Sequence, residues 1–170
     1  MAMATGSTKT FPTTSGQGRA AQPYESGADL VGQGFPHFAG ELRLTQEVAL
    51  GDLLPGGTEV RAILALDAVH AATALVEVND RAVGQTLWPP YAVEVTDALR
   101  PGTNRIAVRL VTSLRNLLGP LHAAGGDHTS VAPATFRDAA RWTDDCWLVP
   151  LGLGQARLII TEGAEGSPVA

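Results

Sequence analysis

At 170 residues and 45% hydrophobic, the chain has the size and apolar content of one domain with a packed core. A net charge of -5 and twelve scattered Lys and Arg exclude the basic stripe on which nucleic-acid binding depends. The single cysteine, Cys146, excludes an intrachain disulfide framework and a multi-cysteine zinc site.

Residues 1–33 are rich in Gly, Ser, Thr and Pro and contain no apolar run. Neither a signal peptide nor a membrane span is expected there; the stretch reads as a disordered arm, and a cytoplasmic location is the default. GFPHFAG, Gly34 to Gly40, leads into an alternating strand over 41–50, with Leu42, Leu44, Gln46 and Val48 on one side. A turn region follows over 51–57. Residues 60–69 are apolar on nearly both faces, as a central strand covered on each side requires.

Val76 and Val78 flank Glu77, Asn79-Asp80 suits the positive φ angles of a tight hairpin, and 83–87 returns as the partner strand. Trp88-Pro89-Pro90-Tyr91 then removes two backbone donors and interrupts pairing before Val93 and Val95 resume the alternation. Residues 96–99 suit a single turn and Pro101-Gly102 a reversal. In the strand that follows, Ile106, Val108 and Leu110 face inward, while Arg105, Ala107, Arg109 and Val111 face out. Arg61, Arg100, Arg105, Arg109 and Arg115 therefore read as a solvated face rather than a polyanion site.

SLRNLLGP, Ser113 to Pro120, predicts a short helical turn with its leucines packed down, followed by a long irregular stretch to about Asp145. Two final strands are expected over 148–153 and 156–161, then a flexible tail over 163–170. The folded domain is placed at 34–162. Seven or eight short strands with little helix predict an all-β fold, an antiparallel β-sandwich of jelly-roll type with one long loop.

VEVNDRAVG, followed by PPYAVEVTDALRPGTNRIAVRLV, resembles the galactose-binding-like β-sandwich modules of glycoside hydrolases, as in the β-galactosidase and β-glucuronidase family. GFPHFAG, LWPPY, SLRNLLGP and WTDDCWLVPLGL extend the likeness over 34–160. They resemble the C-terminal accessory domain of large bacterial glycosidase-like proteins and the accessory modules of rhamnosidase-type enzymes. In such proteins a catalytic barrel usually precedes the module, and no barrel sequence is present here. The resemblance implies a non-catalytic role, either binding carbohydrate or packing against a glycosidase catalytic domain without binding glycan itself.

Aromatics make up only 5% of the chain, so each one outside the core carries weight. Trp88 and Tyr91 bracket a rigid corner where exposed rings would take the C–H face of a pyranose, or where buried rings would cap the core. Arg115 and Asn116 offer bidentate bonding to a uronate or to vicinal hydroxyls, and equally a tie between the long loop and the sandwich. His122, Asp127 and His128 have the chemistry of transition-metal ligands, but their spacing matches no metal motif, so no metal site is expected. A structural calcium would need a dense loop of oxygen ligands, which the sequence lacks, and no cofactor is implied.

Asp144 and Asp145 sit beside Trp142. Glycoside hydrolysis needs two carboxyl groups facing each other across roughly 5 to 9.5 Å. Neighbours in one strand point to opposite faces and cannot form that pair, so no catalytic dyad is expected. Cys146, between apolar residues, reads as a buried, inert thiol. The expected carbohydrate-binding set is Trp88, Tyr91, Arg115, Asn116, His122, Asp127, Trp142 and Asp145. The expected partner is a glycan or a glycosidase catalytic domain, with no nucleic acid and no membrane.

Overall fold

The computed structural model describes residues 7–11, 29–51, 60–119, 121–126, 132–133 and 139–162. Eight strands build two antiparallel four-stranded sheets: β1 (Ser7–Phe11), β2 (Glu41–Ala49), β3 (Val60–His70), β4 (Thr73–Val78), β5 (Arg81–Thr86), β6 (Ala92–Glu94), β7 (Thr103–Val111) and β8 (Gly152–Glu162). One sheet has the order β1-β8-β3-β6 and the other β2-β7-β4-β5. Helix is confined to short turns among the described residues, including α1 (Arg115–Leu118) and one-turn 3₁₀ segments at Thr96–Ala98 and Ala139–Arg141.

Alternation along the strands makes the core. Leu44, Val48, Val76, Val78, Ile106, Val108 and Leu110 face Leu64, Leu66, Leu153 and Leu158 across the two sheets. Burying each such side chain stabilises the fold by about 2 kcal/mol. Strand β3 lies inside its sheet between β8 and β6, as expected, but it is not covered on both sides: Ala62, Leu64 and Leu66 are buried, while Ile63 and Ala65 on the other face are half-buried and Arg61 and Asp67 exposed. Strand β5 also passes close to β6. A Cβ on Gly84 would lie 2.8 Å from Val93 Cγ1, so glycine is what lets the two approach.

The outward face of β2-β7-β4 is charged and paired. Glu77 takes bonds from Arg43 Nη2 (2.7 Å) and Arg109 Nη1 (3.2 Å), and Arg109 Nη2 reaches Glu41 at 2.5 Å. Arg105 pairs with Asp80 on the same face, and Arg61 with Glu94 on the other sheet. The Arg43 hydrogen bond holds the Glu77 carboxyl below its ordinary value despite partial burial, and the Arg109 hydrogen bond does the same for Glu41. Arg61, Arg105 and Arg109 thus lie outward as their alternation predicts, and each is ion-paired there, whereas Arg115 lies over Gly119 in the loop.

Four expectations change. Ser7–Phe11, inside the stretch read as a disordered arm, pairs with β8 from Ser7↔Ile160 to Phe11↔Ala156. A five-residue polar strand carries no apolar periodicity, so sequence pattern does not reveal it. The rest of the arm up to residue 28, and the tail over 163–170, lie outside the described residues. Folded structure also begins before Gly34, because Leu30 is buried and its N–H donates to the Leu151 carbonyl at 2.8 Å. The two closing strands are one, Gly152–Glu162, since 148–151 bonds to the Asn116 and Asp29 side chains and the Leu30 N–H rather than to a sheet partner. Finally, Leu114, Leu117 and Leu118 are exposed, and it is Asn116 of that turn that is buried.

Candidate functional site

Strand register sorts the connections onto two ends. Glu41↔Val111, Thr73↔Val111, Ala74↔Thr86 and His70↔Gly152 place segments 29–40, 87–91 and 112–151 at one end, here called the loop end. Ala49↔Thr103, Val78↔Arg81 and Val60↔Glu162 place the short Asn79-Asp80 and 95–102 connections at the other, the turn end.

The turn end is closed by two asparagines. Asn79 and Asp80 take φ of 51° and 65°, as the hairpin reading requires. The Asn79 amide donates to the Ala98 carbonyl (3.0 Å) and to Asn104 Oδ1 (2.9 Å), and its oxygen accepts from the Arg105 N–H (3.1 Å). Asn104 is fully buried; it donates to the Arg100 carbonyl (2.6 Å) and accepts from the Arg100 N–H (2.9 Å). Such a network fixes three chain segments and commits the polar atoms of both asparagine side chains.

The loop end is built differently. Every exposed large hydrophobic side chain among the described residues lies in its three segments: Phe35; Leu87 and Trp88; Leu114, Leu117, Leu118, Trp142 and Trp147. The long loop is folded on itself through an isolated bridge, Ala123↔Trp142. Bonds from Ala124 N–H to the Arg141 carbonyl (2.7 Å), Thr143 N–H to the His122 carbonyl (2.9 Å) and Trp147 N–H to the Leu121 carbonyl (2.6 Å) extend it. Asn116 docks this loop. Its amide donates to the Val149 carbonyl at 2.8 Å, and its oxygen accepts the Val149 N–H at 2.9 Å. Asp29 Oδ1 accepts the Leu151 N–H at 2.6 Å, and His37 Nδ1–H donates to the Asn116 carbonyl at 2.7 Å.

The expected site residues separate on this frame. Trp88 is 71% exposed beside the cis Pro89-Pro90 bond, whereas Tyr91 is half-buried against the core. Asn116 has its side chain committed to Val149. Arg115 folds back over Gly119, with its Nη1 out of contact with solvent. His122 stacks on Trp142 with ring centroids 4.4 Å apart, and its Nδ1–H donates to the Thr143 carbonyl at 3.1 Å. Trp142 Nε1–H reaches Asp144 Oδ1 at 3.4 Å, and Asp145 is exposed in the same bend. Asp127 and His128 lie outside the described residues. Cys146 is exposed, contrary to its apolar neighbours' suggestion, because this stretch is a surface bend rather than a strand.

Trp147 was not expected in the set. It is 49% exposed and lies against Gly126, where a Cβ would sit 3.2 Å from the ring. Its pairing with a glycine 21 positions away has no local signature. Among the described residues no three His, Cys, Asp or Glu side chains group as metal ligands. A void of about 20 Å³ between the sheets, lined by Leu44, Gln46, Ile106, Val108, Leu153 and Ala156, is too small for a pyranose. No described helix is long and apolar enough to cross a membrane.

Comparison with known proteins bears on this geometry. The sequence matches no family model and no curated protein. Among solved structures, the chain is similar to a rhamnosidase from Novosphingobium sp. PP1Y, at 21% identity and a TM-score of 0.57, covering 94% of this chain and 16% of that one. The chain has the fold of one small domain of a larger glycosidase. A β-glucuronidase from Bifidobacterium dentium complexed with coumarin-3-O-glucuronide is similar at 17% identity, TM-score 0.55, over 93% of this chain and 29% of that one. A glycosyl hydrolase family 2 member from Bacteroides cellulosilyticus DSM 14838 is similar at 14% identity, TM-score 0.55, over 90% and 20%. This chain thus spans well under a third of each of these three enzymes.

Proposed function

We propose that the protein is a non-catalytic accessory module of a glycoside hydrolase that binds carbohydrate at its loop end. The observation that carries this reading is the gathering of every described exposed large hydrophobic, three tryptophans included, at that end. Exposed indole rings stack on the C–H faces of sugars, and contiguous apolar surface on a folded domain marks an interaction site. Trp88, His122, Trp142 and Asp145 supply contacts, with Asp127 a further candidate from the sequence. Asn116, Tyr91 and Arg115 hold the frame. A jelly-roll topology is part of the proposal, supported by the order β1-β8-β3-β6 facing β2-β7-β4-β5. The folded unit is taken as 34–162 with the upstream segments that bond to it.

Affinity electrophoresis through gels containing plant and bacterial polysaccharides tests the reading. Retention that weakens in Trp88→Ala and Trp142→Ala is expected; migration unchanged in every gel would overturn it.

A second reading has its own support. Leu114, Leu117 and Leu118 on and beside α1 are aliphatic and exposed, a surface better suited to protein than to sugar. On that reading the module packs against a glycosidase catalytic domain. Co-purification with a glycosidase encoded beside it, lost in Leu117→Lys, would support it, and independent migration of the two would count against it.

A further inference from the structure

The Trp142 ring is held in place before any ligand arrives. His122 covers one face, Asp144 accepts from its Nε1–H on the edge, and the backbone bridge to Ala123 fixes its Cα. With one face covered, the residue is still 59% exposed. A pre-set aromatic face loses little rotamer freedom on binding, so its stacking energy goes largely into affinity.

Among the described residues the charge around this face is negative. Asp144 and Asp145 are both exposed, against the single guanidinium of Arg141 among the described neighbours. Of the loop's other cations, Arg115 has its Nη1 buried over Gly119, and Arg137 lies outside the described residues. A carboxylate at the indole edge and a second in the same bend repel an anionic sugar and accept hydrogen bonds from the hydroxyls of a neutral one.

From this we infer that Trp142 is the platform of a saccharide subsite selective for neutral sugars over uronates. The inference rests on the carbohydrate-binding reading above and adds its ligand class. Asp144 accepts from a hydroxyl while orienting the indole, and Asp145 repels a carboxylate.

The test is affinity electrophoresis of the full chain through gels of galactomannan or xyloglucan, which are neutral, and of polygalacturonate. The neutral gels should retain the protein roughly tenfold more strongly than polygalacturonate, and Trp142→Ala should lose that retention. The double variant Asp144→Asn, Asp145→Asn keeps the acceptor for the indole and removes both charges, so the preference should narrow. Asp97→Asn with Glu47→Gln, near the turn end, removes the same two charges and should leave the preference unchanged. Equal or stronger retention by polygalacturonate would overturn the neutral preference and leave carbohydrate binding standing. Retention by neither gel type would overturn both together. Narrowing by the Asp97→Asn, Glu47→Gln pair to the same degree would trace the preference to overall charge and overturn the local assignment.

Discussion

The two ends of this sandwich use polar side chains for opposite purposes. At the turn end, Asn79 and Asn104 bond to each other and to three backbone segments, and the surface they support is short and polar. At the loop end, Asn116 and Asp29 spend their polar groups anchoring a long loop, and that loop then carries tryptophans into solvent. The difference teaches how the surface is divided: exposed aromatic surface is costly to keep in water, and among the described residues it is kept at one end on a scaffold of buried hydrogen bonds.

Substitutions that separate the two ends sharpen the contrast. Asn104→Ala removes a fully buried amide and strands its backbone partners, so urea denaturation should show a loss of about 3 kcal/mol. The surviving folded fraction should retain unaltered glycan affinity. Asn116→Ala should cost about 2 kcal/mol and also abolish glycan retention, because Val149 loses both its bonds and the loop its anchor. If the two variants behaved alike in binding, the contrast between the ends would fail. Trp142→Ala should shift stability by no more than about 0.5 kcal/mol while losing retention, since the ring is mostly exposed.

The smallest effect is the pH dependence of the charged sheet face. Glu77 and Glu41 have folded values lowered by their arginine hydrogen bonds, so they bind fewer protons folded than unfolded. Their stabilisation is fully present above the ordinary carboxylate value of 4.5 and is lost as pH falls through the lowered folded values. Urea midpoints should therefore stay level down to about pH 5 and decline below it, with a smaller decline in Glu77→Gln.

Much of the body was legible in sequence, for local reasons. Alternation in Ile106, Val108 and Leu110, the two-sided run of β3 and the positive-φ pair Asn79-Asp80 each report on a strand or turn within a few residues. The loop end was legible only as composition. His122 meets Trp142, and Gly126 meets Trp147, across about 20 residues with no periodic pattern, so neither contact leaves a trace in either segment alone. SLRNLLGP misled because leucines normally pack down; among its described residues the one buried side chain is the asparagine, whose amide fits the Val149 backbone as no leucine can.

The central claim is that the loop end, and Trp142 in particular, meets carbohydrate while the turn end only holds the fold. Titrating ¹⁵N-labelled protein with galactomannan oligosaccharides tests it directly, because the indole N–H of Trp142 and the side-chain amides of Asn79 and Asn104 give separate signals in one spectrum. A saturating shift of the Trp142 indole with the two amides unmoved is the predicted result. An unmoved Trp142 indole, or shifts centred on Asn79 and Asn104, would contradict the account.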